Sequence, residues 1–109
     1  MRSQVKKNYE ECMNATVAEL QADIAQWADS VVPNRTPLSV IAKMLGEVGE
    51  LIASERMSDP SELADVLILA LDLAHLQGID AAEAVRAKLE VNKSRKWRVA
   101  DNNTAQHVD

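Results

Sequence analysis

Hydrophobic residues return every three or four positions through most of this chain, the spacing of helices that each bury one face. Val17, Leu20, Ile24, Trp27 and Val31 mark a first helix, opened by a Thr16–Glu19 capping box and stopped by Pro33. Asn34 and Arg35 make a turn. Thr36 followed by Pro37 reads as an N-cap with proline at the first helical position. The helix it opens is striped by Leu38, Ile41, Leu45, Val48 and Ile52, with Val40, Met44 and Leu51 widening the stripe. Asp59, Pro60 and Glu62 start a third helix that Gly78 ends, and Asp80 with Glu83 starts a fourth reaching about Trp97. Val5, Tyr9, Cys12 and Met13 hint at a helical lead-in over residues 1–15, and residues 98–109 read as a polar, loose tail. Four helices on short connections predict an all-α fold, a four-helix bundle forming one domain over residues 1–97.

The third helix breaks the pattern. From Glu62 to Leu76 the run ELADVLILALDLAHL is apolar nearly all round, as in a buried helix, yet Glu62, Asp65 and Asp72 fall on one stripe of it. A buried carboxylate must be neutralised, paired or bound to a metal. Glu47 and Glu50 stand at the end of the second helix with the same three-residue step. Five carboxylates on two consecutive helices, with few basic neighbours in sequence, point to a polyvalent cation. Plainer accounts exist for some of them. Glu62 fits the third position of a capping box with Asp59, and Glu47 and Glu50 fit a solvated face beside Met44 and Leu51. Asp65 and Asp72 resist that account, because a solvated stripe would hold several polar residues rather than two.

Oxygen ligands select Mg²⁺ or Mn²⁺ over Zn²⁺, which recruits His or Cys. His75 is the only histidine inside the predicted bundle, and no Glu-x-x-His pair supports a di-iron site; His75 reads as a packed or partly exposed helix residue. The net charge of −5 argues against a protein that binds a nucleic-acid backbone. Cys12 is a lone cysteine without an internal partner, which fits a reducing cytoplasm. Neither a signal peptide nor a membrane span is expected.

On the fourth helix Lys88, Asn92 and Arg95 lie four and three residues apart, on the same side as Ala81, Ala84 and Val85. Each has a bland reading as a snorkelling side chain or a helix-terminal charge. As a row opposite a carboxylate–metal cluster, they match the needs of a polyphosphate: metals neutralise part of its charge and basic groups hold the rest. Trp27 and Gln21 are candidate contacts for a base or sugar, although a Trp at helical spacing is more often core. Arg35 reads as a phosphate contact or as an exposed turn residue.

Glu47-Val-Gly-Glu50 followed by Glu62-Leu-Ala-Asp65 resembles the ExxE…ExxD signature of the MazG-like, all-α nucleoside triphosphate pyrophosphohydrolases. The likeness runs through Asp72 into Lys88-x-x-x-Asn92-Lys93-x-Arg95-Lys96-Trp97 and covers roughly residues 16–97. It implies Mg²⁺, with Mn²⁺ a substitute and two or more ions per site, on Glu47, Glu50, Glu62 and Asp65, and Asp72 as an added ligand or supporting acid. It implies that Lys88, Asn92 and Arg95 hold phosphates with help from Lys93 and Lys96, that Glu47 or Glu50 activates water, and that the substrate is a nucleoside triphosphate cleaved to monophosphate and pyrophosphate. A homodimer or homotetramer with the pocket near a subunit interface is also implied. Gln26-Trp27-Ala28, Pro33-Asn34-Arg35-Thr36 and DVLILALD look most like a small phage-associated subgroup acting on dATP and dGTP. Phosphoribosyl-ATP and dUTP pyrophosphohydrolases share the bundle and the acids, and a non-enzymatic helical module binding metal or a partner is the alternative from another class.

Overall fold

The computed structural model describes residues 15–108, so the lead-in expected around Val5 to Met13 lies outside the described residues. Four α-helices follow in order: α1 (Val17–Val31), α2 (Pro37–Ala53), α3 (Pro60–Leu76) and α4 (Ala81–Ser94). Their starts are set by local chemistry. Thr16 and Glu19 close a reciprocal capping box, as do Thr36 and Ser39 ahead of Pro37. The Asp59 carboxylate accepts from the Ser61 N–H at 2.9 Å, and Asp80 from the Glu83 N–H at 3.1 Å. Gly78 ends α3 at φ 68°, where the Ile79 N–H reaches back to the Ala74 carbonyl and its own N–H to that of His75.

The fold is open. α2 and α3 form its principal pair, α1 lies across α3, and α4 packs on α1 with a slighter touch on α3; α2 and α4 do not meet. Between α2 and α3 a short 3₁₀ turn, Glu55–Met57, places both Arg56 and Met57 at positive φ. Among the described residues the buried apolar ones are small or β-branched: Ala25, Ala28, Val40 and Ala81. The α2 stripe read from the sequence as core faces outward instead, with Leu38 75% and Leu45 70% exposed and Ile52 uncovered beside them. On α3, expected to be buried all round, Leu63 and Leu67 are exposed, and on α4 so are Val85 and Leu89. The described helices leave these faces uncovered.

Two further departures concern the C-terminal region. α4 stops at Ser94 rather than near Trp97, because the Ser94 hydroxyl and the Trp97 indole N–H satisfy the Val91 and Asn92 carbonyls at 2.7 and 2.6 Å. The segment expected as a loose tail contains a two-stranded antiparallel hairpin, β1 (Trp97–Val99) with β2 (Ala105–His107). Trp97 and His107 face each other across it edge to face, ring centres 5.9 Å apart. Among the described residues no helix is long and apolar enough to cross a membrane.

Candidate active site

The α2–α3 pairing brings the acids together. Carboxylate oxygens of Glu47, Glu62 and Asp65 all lie within 4.8 Å of one another. Glu47 is buried, Glu62 half-buried and Asp65 exposed, so the group forms a cup with one open side. Glu62 does not fold back to cap its own helix; Asp59 does that through Ser61. Instead Glu62 Oε2 and Glu47 Oε2 are both buried without a hydrogen-bond partner. Two orphaned buried oxygens in a set of hard donors are unfavourable alone and fit a divalent cation.

Glu50 stands against Glu47 and Glu62; the hydrogen bond it shares with Glu47, then the negative charges of both, push its pKa above the ordinary carboxylate value. Glu47 moves the other way, held low by the ammonium of Lys43, which reaches Glu47 Oε1 at 3.0 Å from one turn earlier on α2. Neighbouring carboxylates with opposed shifts divide into one that stays ionised and one that holds a proton more readily. Lys43 was missed in the sequence, although its four-residue spacing from Glu47 on a helix was a usable signal.

Asp72 is not part of this group. Its two oxygens accept from Arg35 Nε at 2.6 Å and Arg35 Nη2 at 2.8 Å, a bidentate pair whose side chains are only 4% and 5% exposed. Arg35 also donates through Nη1 to Asp29 at 2.9 Å and to the Val32 carbonyl, and these carboxylates keep it firmly protonated. The buried acid read as a metal ligand has thus found a cation 37 residues away, and Arg35 is neither an exposed turn residue nor free for phosphate. The pair lies on the wall of a cavity of about 360 Å³ that Ile24, Trp27, Val40 and Ile68 line with apolar surface and Lys43 borders. Trp27, 60% exposed, is a wall of that cavity rather than core.

Gln21 has a different place from the one its position suggested. Its Nε2 donates to the Ile79 carbonyl at 2.7 Å and its Oε1 accepts from the Ala81 N–H at 3.0 Å. Buried and with both ends of its amide engaged, it clamps α1 to the start of α4. Lys88 and Asn92 line an open apolar groove with Val85 and Leu89 on α4. Arg95 sits beyond the helix end in extended backbone, so the expected row of three on one helix face is broken there. Lys93 pairs weakly with Glu90 at 3.7 Å. α4, which carries this basic group, does not meet α2 and touches α3 only slightly.

The family model for dATP/dGTP pyrophosphohydrolases matches residues 20–109. The chain belongs to that family. It is 59% identical over 96 residues to the dATP/dGTP diphosphohydrolase of Cyanophage S-2L, covering 88% of this chain and 91% of that protein. It is 43% identical over 93 residues to a dATP/dGTP diphosphohydrolase of Salmonella phage PMBT28, covering 85% of this chain but 32% of that longer protein. Among solved structures, the Cyanophage S-2L MazG-like pyrophosphohydrolase bound to dGDP and three catalytic Mn²⁺ ions per active site superposes with a TM-score of 0.82. That match is 59% identical and covers 89% of this chain and 97% of the other. The family assignment agrees with the ExxE…ExxD resemblance and with the all-helical fold.

Proposed function

We propose that this protein hydrolyses dATP and dGTP to the monophosphate and pyrophosphate, using Mg²⁺ or Mn²⁺ held by Glu47, Glu62 and Asp65 with Glu50 beside them. The observation that carries the reading is the pair of buried, unpartnered oxygens on Glu47 and Glu62 within a three-carboxylate group. When bound, the metals would lower the pKa of a water and offset charge on the phosphoryl oxygens. Glu50 or Glu47, adjoining carboxylates at the end of α2, would take the proton of the attacking water. The apolar cavity beside Trp27 is sized for a purine, with the indole as one wall. A fixed, protonated Arg35 supports that cavity through Asp72.

The phosphate-holding group comes from a second copy in this reading. α4, carrying Lys88, Asn92 and Lys93, does not meet α2 and touches α3 only slightly, and among the described residues the stripes of α2, α3 and α4 are exposed. A homodimer, or a homotetramer built from it, would cover the stripes and bring the basic group to the acids. Turnover of free nucleotides by a chain of net charge −5 suits the cytoplasm, that of the host for a phage protein.

Incubation with a panel of canonical and modified dNTPs, dUTP and phosphoribosyl-ATP, with Mg²⁺ or Mn²⁺, tests the function. Pyrophosphate and a purine deoxynucleoside monophosphate are the expected products. Absence of pyrophosphate from every triphosphate, with metal present and helices intact, would favour a binding module instead.

A further inference from the structure

The single basic side chain in ion-pair contact with the acid cup, among the described residues, is Lys43. Its ammonium lies 3.0 Å from Glu47 Oε1, while Glu47 Oε2 has no partner. The Glu47 side chain is 9% exposed and that of Lys43 is 65% exposed, so the acid is fixed and the base rides on a solvated, flexible stem. Lys43 also borders the cavity walled by Trp27 and Ile24. One helical turn, about 6 Å of rise, separates Lys43 from Glu47, so the residue stands between the apolar cavity and the acids.

We propose that Lys43 is a placeholder cation that holds Glu47 until metal arrives and then turns to the phosphate nearest the nucleoside. Two cations cannot share the Glu47 carboxylate without repelling each other, and the divalent ion has the other acids on its side. Displaced from Oε1, the ammonium keeps its reach along the same helix face. There it meets the segment of a nucleotide that joins a base in the cavity to phosphates over the acids. The inference rests on the metal-dependent reading above and assigns a phosphate-positioning role to a residue outside the ExxE…ExxD signature.

The consequence is a pair of effects of opposite sign. Removing the ammonium relieves competition for Glu47, so nucleotide-free Lys43→Met binds Mn²⁺ about threefold to tenfold more tightly by isothermal titration calorimetry. The same variant loses a phosphate contact, so its KM for dGTP rises about tenfold, with kcat moving less. Lys43→Arg, which keeps the charge, stays near the wild type in Mn²⁺ affinity. An exposed ion pair that merely steadies α2 would leave both quantities unchanged. Mn²⁺ affinity equal to or below wild type in Lys43→Met, or an unchanged KM, overturns the proposal while leaving the metal site standing. A wild-type protein that takes up no Mn²⁺ overturns both readings.

Discussion

Arg35 and Asp72 close a bidentate ion pair, at 2.6 and 2.8 Å, that fastens the α1–α2 turn to the C-terminal part of α3. With both side chains almost fully buried, deleting one partner strands the other charge. Arg35→Met and Asp72→Asn should each lower unfolding free energy by about 3–5 kcal/mol in urea denaturation. An apolar double replacement should recover much of that loss, since neither charge is then left alone. Asp72→Asn should leave Mn²⁺ affinity nearly unchanged. A large affinity loss with little destabilisation would instead place Asp72 among the ligands.

The acid cup should behave differently. Glu62→Gln and Asp65→Asn remove negative charge from the metal-free cluster, so these variants should melt at or near the wild-type temperature. Glu47→Gln also gives up the Lys43 ion pair and should melt slightly below it. Turnover should fall by more than about a hundredfold, because losing groups that only support a metal ligand already costs about 10–100-fold. Thermal scans with and without Mn²⁺ complete the test: the ion should raise the wild-type Tm and fail to raise those of the variants. Wild-type turnover in all three variants would remove the site from this place on the molecule.

What could be read from the chain depended on distance along it. Thr16, Thr36, Asp59, Gly78 and Asp80 act within a few residues, so the helix starts and the end of α3 followed from capping chemistry. The pairing of Glu47 with Glu62 and Asp65 was legible because both acid steps repeat on neighbouring helices joined by a short turn. The partner of Asp72 was not, since nothing local ties it to Arg35. The same holds for Gln21, whose two backbone partners lie 58 and 60 residues away. Periodicity showed that Leu38, Leu45 and Ile52 share a face, but apolar spacing cannot distinguish a face covered by its own chain from one left for another. The hairpin at Trp97 escaped notice because two three-residue strands carry too little alternation to show against a polar background.

The Gln21 clamp makes a separate prediction. Gln21→Ala leaves the Ile79 carbonyl and the Ala81 N–H without partners, a loss of about 1–3 kcal/mol for buried groups. Amide exchange at Ala81 should accelerate more than exchange in α2. Because α4 carries Lys88 and Asn92, loosening its start should raise KM for the nucleotide more than it lowers kcat. An effect on kcat alone, with stability intact, would return Gln21 to the list of substrate contacts.

The outward apolar stripes lead to the last prediction. Leu38 and Leu45 on α2 and Leu63 and Leu67 on α3 are exposed among the described residues, and large exposed apolar surfaces mark contact sites. If a second copy covers them, Leu45→Glu places an unpaired charge in the contact and should shift the protein to monomer in light scattering at micromolar concentration. The acids of each copy would remain paired across α2 and α3, so the monomer should still take up Mn²⁺. It should nevertheless lose turnover, because Lys88, Asn92 and Arg95 of the other copy would no longer face the cup. Mixing Leu45→Glu with Lys88→Ala would then restore nothing, whereas mixing Lys88→Ala with Asp65→Asn should regenerate one intact site per hybrid dimer. Recovery of activity in that second mixture, absent from either variant alone, is the signature of a site shared between copies. Full activity in a Leu45→Glu monomer would show that one chain suffices.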